Sequence, residues 1–340
     1  VLGLVRRYAV EARHQGRRDL AEMLERVPAF TPRTFLEALQ SLRILHSITY
    51  LSGHYQVGFG RFDQYMWPYL KADLDSGRLT LDQASDQLAE FFITLNKDSD
   101  LYPGIQQGDN GQTITLGGVD REGNSAVNKL TFLCLQASRD VCMIDPKINL
   151  RISANTDLDL LSMATELTRK GLGFPQYSND DVVIPGLVAH GYRLEDAREY
   201  AVAACWEFII PGKGMDVVNI GAVSFPAAVD KAIRDGLAAG EEMQGILRRV
   251  RMDIDQQVKH LAADYENLLL PPAPYLSVLM SDCLDQAKDL SVGAQYNNFG
   301  IHGAGSANSA DALAAIQELV FTEGSVTRTD LIKALDSDFL

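Results

Sequence analysis

The sequence predicts an α/β fold in which helices alternate with the strands of a mostly parallel sheet. Three observations indicate this fold: amphipathic segments with apolar residues three or four positions apart, short strand-like segments between them, and one nearly continuous apolar run, typical of a strand buried on both faces. No internal repeat or long linker interrupts the alternation. We therefore expect one continuous domain over residues 1–340.

The helix boundaries follow from local signals. A Thr-Pro pair opens the first clear helix, and Thr80 with Gln83 forms a capping box at the start of the next. Gly171 ends another helix, because glycine tolerates the left-handed conformation of a helix C-terminus. Pro271 and Pro272 stop the longest one. The helices are predicted over 31–51, 80–95, 155–170 and about 241–269.

Two segments carry the strongest strand signal. In Lys147–Ser153 apolar residues alternate with polar ones, as in a strand with one buried face. Glu199–Ile210 is apolar almost throughout and predicts one strand buried on both faces. Strands of this kind, separated by helices, favour a parallel sheet and a barrel.

We expect the chain to be a piece of a longer protein. It starts with Val1, and its first segment already has the pattern of the middle of an amphipathic helix. The last predicted helix, over 326–340, stops with no following element to pack against.

The composition limits the possible partners. There are 31 basic and 45 acidic residues, a net charge of −14, which argues against nucleic acids and anionic membranes because both need a basic face. No apolar run approaches the roughly 20 residues of a membrane-spanning helix, and no secretory signal is recognised. The 4 cysteines are widely spaced and lack a CxxC pair, which favours reduced thiols in the cytoplasm.

Most of the other candidate motifs favour structural roles. The 6 histidines are scattered singly, so no metal site is predicted. Cys134 and Cys142 are predicted to be buried thiols. Asp180 and Asp181 follow Asn179 and could bind a cation, but a solvated loop or a helix cap is the favoured interpretation.

Cys205-Trp206-Glu207 is the most unusual point of the sequence, at the end of the apolar run and shortly before a Pro-Gly-Lys turn. In an extended chain residues i and i+2 point to the same side, so the thiol and the carboxylate would face one space and the indole the other. That pair suits general acid–base or nucleophilic chemistry. The spacing alone favours a plainer alternative, a small core cysteine beside a salt-bridged glutamate.

Five stretches, taken together and in this order, resemble the glycyl radical enzymes of the pyruvate formate-lyase superfamily. They are GRFDQYMWPYLKADLDSGRLT (60–80), GQTITLGGVDREG (111–123), GFPQYSNDDVVIP (173–185), EDAREYAVAACWEFIIPGK (195–213) and YNNFGIHGAG (296–305). The resemblance covers roughly residues 30–335. It implies a ten-stranded α/β barrel of two parallel five-stranded halves, incomplete here at both ends, with the active site inside.

The resemblance also implies a radical mechanism. Cys205 matches the thiyl-radical cysteine of the family, and Glu207 matches the base of its lyase and dehydratase branch. In the family a glycyl radical takes hydrogen from the cysteine, and the thiyl then takes hydrogen from a substrate carbon, after which a neighbouring group leaves. The radical glycine lies in an Arg-Val-x-Gly-Tyr-type motif, for which this chain ends too early at Leu340. The chain alone is therefore expected to be inactive.

The family properties extend to cofactors and partners. The glycyl radical is installed by a radical S-adenosylmethionine activase that carries an iron–sulfur cluster, and the enzyme itself needs no metal. Homodimers are usual, and oxygen sensitivity restricts such enzymes to anaerobic metabolism. The expected ligand is a small molecule, with no nucleic acid and no membrane as partner.

Departures from the family pattern narrow the substrate. Ala204 stands where the acyl-transferring type has a second cysteine, so acyl transfer is disfavoured. Asn219 stands where diol dehydratases carry an aspartate, which argues against a glycerol or propanediol substrate, because an amide cannot act as a base. Tyr296 matches a tyrosine that lines the dehydratase pocket. The predicted substrate-binding residues are Asn219, Tyr296, Gln56, Gln112 and Thr113.

Three functions remain open. The first is an anaerobic lyase or dehydratase that eliminates water or an amine-type group from a small polar substrate. The second is a carbon–carbon lyase such as an arylacetate decarboxylase, suggested by Trp206 and Phe208. The third, from another class, is a non-catalytic fragment or radical-repair partner.

Overall fold

The computed structural model of the protein describes residues 1–54, 56–100, 110–265 and 267–339. The chain packs as two compact units, each described by itself below. The first comprises Val1–Met215 and Ala273–Tyr296, and the second comprises Asp216–Pro272 and Asn297–Leu340. The expectation of a single domain over 1–340 stays a prediction.

The strands of the described part fall into three small sheets. They are β1 (Thr113–Gly117), β2 (Lys147–Ile152), β3 (Gln176–Asn179), β4 (Ala201–Ala203), β5 (Glu207–Ile209), β6 (Gly214–Ser224) and β7 (Tyr296–Ala304). Strands β1, β2 and β3 form one sheet, β4 pairs with β5, and β6 pairs with β7.

Helices separate most of these strands along the chain. The earlier ones are α1 (Leu2–His14), α2 (Arg18–Arg26), α3 (Phe35–Leu51), α4 (Phe62–Tyr65), α5 (Trp67–Asp75), α6 (Leu81–Leu95), α7 (Lys129–Val141), α8 (Leu158–Thr168), α9 (Asp180–Ala189) and α10 (Leu194–Ala197). The later ones are α11 (Phe225–Ala238), α12 (Met243–Tyr265), α13 (Pro274–Ser277), α14 (Ser281–Gln286), α15 (Leu290–Gly293), α16 (Ser306–Ile316) and α17 (Arg328–Asp336). A 3₁₀ turn, Asn96–Asp100, follows α6, and a π-helical segment, Gln317–Thr322, follows α16.

The predicted helices are confirmed, with ends shifted by a few residues. Thr80 caps α6 through the reciprocal bonds with Gln83 that the sequence indicated. Thr34 caps α3, so this helix starts after the Thr-Pro pair and not at it. Gly171 lies just beyond α8 with the left-handed φ of +76°. None of the described helices is both long and apolar enough to cross a membrane.

The central feature of the first unit is a parallel sheet. Strand β2 pairs in parallel with β1 on one side and with β3 on the other. Beyond β1, Gly60 forms a parallel bridge to Ile114, which continues the sheet by one short segment. The alternation of helices with parallel strands confirms the predicted α/β class.

The two faces of this sheet differ in polarity because side chains alternate along each strand. One face is apolar and packs on the helices of the first unit, with Ile114, Leu116, Ile148 and Leu150 fully buried in its core. The helical part of this core includes Leu88, Phe91, Phe92, Leu95, Leu130 and Cys134. The opposite face carries polar side chains, and it is this face that bears the site described below.

The second unit has its own smaller core. Helices α11 and α12 pack against each other, and Ile233 and Ile246 are buried there together with Ile316 of α16. Short apolar side chains such as Ala232 let these helices approach closely, and the glycine at 236 lies against Ile246.

His46 in α3 is a buried histidine of the first unit. Its Nε2 lies 2.6 Å from the carbonyl oxygen of Val57, and its ring stacks on Phe59 at a centroid distance of 4.1 Å. Burial lowers the pKa of His46 from its ordinary 6.5 to about 4, because the cation would lose its hydration there. His46 is therefore neutral in the folded protein at the pH of a cell.

We predict that a cavity at Phe92 costs far more stability than a change at an exposed aromatic position. Phe92 is fully buried, so Phe92→Ala should lower the free energy of unfolding by about 3–5 kcal/mol. Phe30 is 63% exposed, and Phe30→Ala is the matched control that should change it by less than about 0.5 kcal/mol. Chemical denaturation measures both, and equal losses would contradict this description of the core.

His46 should make the protein less stable in acid. Between pH 6.5 and 4 the unfolded chain binds a proton that folded His46 does not, so the free energy of unfolding falls as the pH falls. The expected loss across this window is on the order of 3 kcal/mol. Denaturation of the protein and of His46→Gln at several pH values measures it. Identical pH slopes for the two proteins would show that His46 titrates normally.

Candidate active site

Cys205 lies in the turn of a short β-hairpin and not at the end of one long strand. Strand β4 pairs antiparallel with β5, and the pair Ala203–Glu207 closes a turn of three residues, 204–206. The prediction of one continuous strand over Glu199–Ile210 is therefore wrong. The chain reverses at Ala204, whose φ of +49° lies in the left-handed region, and apolar residues on both sides of such a turn resemble one long strand.

The turn brings the cysteine and the glutamate together, although not for the predicted reason. Glu207 Oε2 accepts hydrogen bonds from the backbone N–H groups of Cys205, at 2.8 Å, and Trp206, at 3.0 Å. The carboxylate thus folds back over the turn, and the extended chain predicted at these residues is absent here. Cys205 is exposed and Trp206 is 54% exposed, so the tip of the turn is accessible.

Two threonines of β1 fasten the hairpin to the polar face of the sheet. Thr113 Oγ1 donates to the carbonyl oxygen of Ala204 at 2.9 Å. Thr115 Oγ1 accepts from the backbone N–H of Val202 at 2.9 Å and lies 3.5 Å from the carbonyl oxygen of the same residue. Both hydroxyls are fully buried. They therefore fix the residue immediately before Cys205 and the strand that leads to it.

A buried ion pair fixes the entry to the hairpin. Arg151 of β2 donates to both carboxylate oxygens of Asp180, at 2.8 and 2.9 Å, and to the carbonyl oxygen of Tyr200 at 3.1 Å. The Tyr200 hydroxyl donates to Asp180 Oδ1 at 2.7 Å, and the guanidinium carbon lies 4.0 Å from the Tyr200 ring centre. Burial raises the pKa of Tyr200, so this hydroxyl stays protonated and remains a donor.

Glycine is required beside this ion pair. Gly118 has a φ of +74°, and a Cβ added there would lie 2.5 Å from Arg151 Nε. For Asp180 and Asp181 the sequence leaves a solvated loop, a helix cap or a cation site open. The cap is confirmed, because Asn179 accepts from the backbone N–H of Asp181, but the structure assigns Asp180 to Arg151.

A second arginine connects β1 to the same entry segment. Arg61 donates to Glu199 Oε1 at 2.8 Å and to the carbonyl oxygen of Gly117 at 3.1 Å. The nearby carboxylate of Asp63 is fully buried and accepts from the backbone N–H of Gly117 and from the hydroxyl of Thr131. Sequence reasoning missed these residues, although GRFDQ was among the stretches that carried the family resemblance.

The remaining predicted site residues lie in several places. Gln112 is fully buried, and its Nε2 donates to the carbonyl oxygen of Leu95, which places its amide in the core beside α6. Gln56 is half-buried with a φ of +57°, and its side chain lies against Gly111. Asn219 lies in β6, and its side chain is outside the described part of the structure. Their contacts to a substrate stay predictions.

Tyr296 belongs to a polar cluster around Asp196. Its hydroxyl donates to Asp196 Oδ2 at 2.9 Å, and its ring stacks on Tyr192 at 4.2 Å. Lys213 donates to Asp196 Oδ1 at 2.6 Å. Burial opposes ionisation of Asp196, but the hydrogen bonds from Lys213 and Tyr296 outweigh it and lower the pKa of this carboxyl. The substrate contact predicted for Tyr296 stays a prediction.

The other cysteines differ from one another. Cys134 is buried, as predicted, and burial raises the pKa of its thiol, which keeps it inert. The prediction of a buried thiol at Cys142 is wrong, because Cys142 follows the last turn of α7 in a left-handed conformation and is exposed. Across the described ranges no three His, Cys, Asp or Glu residues form a group that could hold a metal ion.

Curated proteins similar to this chain are lyases. (2S)-3-sulfopropanediol dehydratase of Klebsiella oxytoca is 30% identical over 356 residues, which cover 96% of this chain and 43% of that protein. Indoleacetate decarboxylase of Tractidigestivibacter scatoligenes is 25% identical, with 94% of this chain and 40% of that protein covered. The chain therefore spans less than half the length of the curated relatives it matches.

Solved structures share the fold. The B12-independent glycerol dehydratase of Clostridium butyricum, in its glycerol-bound form, matches with a TM-score of 0.89 at 29% identity. The match covers 99% of this chain and 47% of that one. A glycyl radical enzyme of Archaeoglobus fulgidus matches with a TM-score of 0.86 at 26% identity, covering all of this chain and 48% of that one.

The family itself is settled by the extent of the match. The family model described as pyruvate formate lyase-like matches residues 8–340, which is nearly the whole chain. The helices and parallel strands that carry the Cys205 hairpin lie within that range. The chain therefore belongs to the pyruvate formate lyase-like family, as the sequence motifs predicted.

Proposed function

We propose that the whole protein is an anaerobic glycyl radical lyase of the dehydratase type, which eliminates water or an amine-type group from a small polar substrate. One observation carries this proposal: an exposed thiol, Cys205, lies in the three-residue turn that Glu207 closes, and the Glu207 carboxylate accepts from the backbone N–H of Cys205. The sulfopropanediol and glycerol dehydratases among the similar proteins support the same reaction class.

The residues of this chain have distinct tasks in the proposed reaction. The Cys205 thiyl takes a hydrogen atom from a substrate carbon, which forms the S–H bond and leaves a carbon radical. A group on the neighbouring carbon then leaves together with a proton, and Glu207 moves that proton because its carboxylate is held beside the cysteine. The Cys205 thiol returns its hydrogen atom to the product. The hairpin bonds from β1 hold the sulfur in place throughout.

The family implies a glycyl radical and a protein that installs it. A glycyl radical elsewhere in the whole protein would supply the unpaired electron that the thiol needs. The exposed position of Cys205 fits this requirement, since a buried thiol could not meet another segment. We propose a radical S-adenosylmethionine activase as the partner, a homodimer as the assembly and the cytoplasm as the location.

A carbon–carbon lyase is the second candidate. Trp206 presents a half-exposed indole next to the reacting cysteine, which would suit an aromatic substrate. The similarity to indoleacetate decarboxylase supports this alternative. A panel of small polyols, hydroxylated amines and arylacetates, offered to the activated full-length protein, separates the two. Turnover of arylacetates alone would refute the dehydratase proposal.

Substitutions at the turn should separate chemistry from folding. Cys205→Ser should abolish turnover by the activated full-length protein. Glu207→Gln keeps an oxygen that can accept the two backbone hydrogen bonds but removes the base, so kcat should fall about 10²–10⁴-fold. Cys142→Ser, at another exposed cysteine, is the control and should keep full activity. Unchanged turnover in Glu207→Gln would remove Glu207 from the mechanism.

Thr113 should act as a positioning residue. Thr113→Val keeps the shape of the side chain but loses the hydroxyl that holds the Ala204 carbonyl, so the sulfur of the next residue is less well placed. We expect kcat to fall about tenfold to a hundredfold with little change in KM. Thr113→Ser retains the hydroxyl and should restore most of the rate. Equal losses in both variants would indicate a packing role instead.

A further inference from the structure

The polar face of the parallel sheet carries an ordered row of side chains. The strand register places Thr115, Asn149 and Gln176 side by side on β1, β2 and β3. Ser178 lies two residues further along β3, on the same face. The hydroxyl of Thr115 accepts from the backbone N–H of Val202, which lies three residues before Cys205 in the hairpin. One end of this row is therefore attached to the cysteine hairpin.

Three members of this face lack a hydrogen-bond partner within the described part of the chain. Asn149 is fully buried, and neither its amide oxygen nor its amide nitrogen has a partner. The side-chain oxygens of Gln176 and of Ser178 are also buried and unpartnered. Protein interiors rarely leave an amide without any hydrogen bond, and three such groups on two neighbouring strands need a shared explanation.

The charge of these groups defines the chemistry of what they would bind. The unpartnered groups are two amides and one hydroxyl and are therefore neutral, and the nearby charges of Arg151 and Asp180 are paired with each other. Two amide oxygens need donors, and the Asn149 nitrogen needs an acceptor. A carboxylate cannot donate and an ammonium cannot accept, whereas a hydroxyl does both. The row is therefore complementary to a neutral hydroxyl group.

We propose that Asn149, Gln176 and Ser178 form a binding site for a neutral hydroxyl-bearing ligand behind the cysteine hairpin. The hydroxyl comes either from the substrate or from bound water. We call these two cases the substrate arm and the water arm. Only the substrate arm rests on the proposed function, because a bound water would hold the hairpin and the sheet together whatever reaction the protein catalyses. In the first case a hydroxyl of the substrate lies on this row, and in the second case an ordered water does.

The sign of a stability change tests the site. Asn149→Leu replaces the amide by an apolar side chain of similar size in the full-length protein. Denaturation is followed with 1,2-propanediol added, so that either source of the hydroxyl can occupy the site. If the amide binds a hydroxyl ligand, the variant loses those bonds and its denaturation midpoint falls. If the amide is simply unpaired in a dry interior, the variant is relieved of that cost and its midpoint rises. A raised midpoint overturns the proposal. Asn155→Leu, at an exposed asparagine, is the control and should leave the midpoint unchanged.

A second variant covers the case in which Asn149→Leu does not fold. Ser178→Ala removes an unpartnered buried hydroxyl with the smallest possible change in shape. It should lower the midpoint if the site is occupied and raise it if the site is dry. The direction of the midpoint change in Ser178→Ala therefore tests the proposal even if Asn149→Leu does not fold.

Binding to the unactivated full-length protein distinguishes the two sources of the hydroxyl. The probes are 1,2-propanediol, lactate and 1-aminopropan-2-ol, which share a carbon chain and differ in charge. If the site binds substrate, the diol alone binds, here as an uncharged hydroxyl probe and not as the predicted substrate, and Asn149→Leu weakens it about tenfold, as expected for one lost neutral hydrogen bond. In the water arm Asn149→Leu lowers the midpoint without changing any probe affinity. Binding of lactate or the amine that depends on Asn149 refutes the neutral site. Because no radical is needed, these outcomes do not depend on turnover.

Discussion

The bidentate ion pair between Arg151 and Asp180 is the interaction on which the candidate site depends. A hairpin with strands of three residues is not stable by itself in water. It keeps its shape because Arg151 holds the carbonyl of Tyr200 at its entry, while Thr115 and Thr113 hold its first strand and its turn. An isolated arginine or aspartate would be costly at this depth, whereas the pair with the Tyr200 hydroxyl satisfies its charges mutually.

The division of the sheet into two faces explains how one element serves both stability and chemistry. The apolar side chains of β1 and β2 form the core with the surrounding helices, which supplies the hydrophobic stabilisation. The alternate residues on the same strands are then obliged to point to the other side, where they meet the hairpin. The polar face is therefore held in place by a core to which it does not belong.

The comparisons establish the family of this chain, whereas the proposed reaction rests on the residues of the site. The family match covers nearly the whole chain and establishes the family, whereas the cysteine hairpin is seen in the structure. The similar proteins include both a dehydratase and a decarboxylase, so family membership alone leaves the reaction open. The unpartnered groups on the sheet are neutral, and they are the basis of the hydroxyl site that we propose.

The sequence by itself determined the α/β class, most helix positions and the identity of Cys205 and Glu207 as the candidate pair. Those features depend on local periodicity, caps and short motifs, which neighbouring residues carry. The hairpin, the roles of Arg151 and Asp180 and the bond from Thr113 to Ala204 were decided only by the tertiary structure. Each joins residues 29 to 91 positions apart, or depends on a left-handed alanine that residue type does not signal. Sequence patterns record which face a residue occupies, but the partner on that face is chosen by the packing of distant strands.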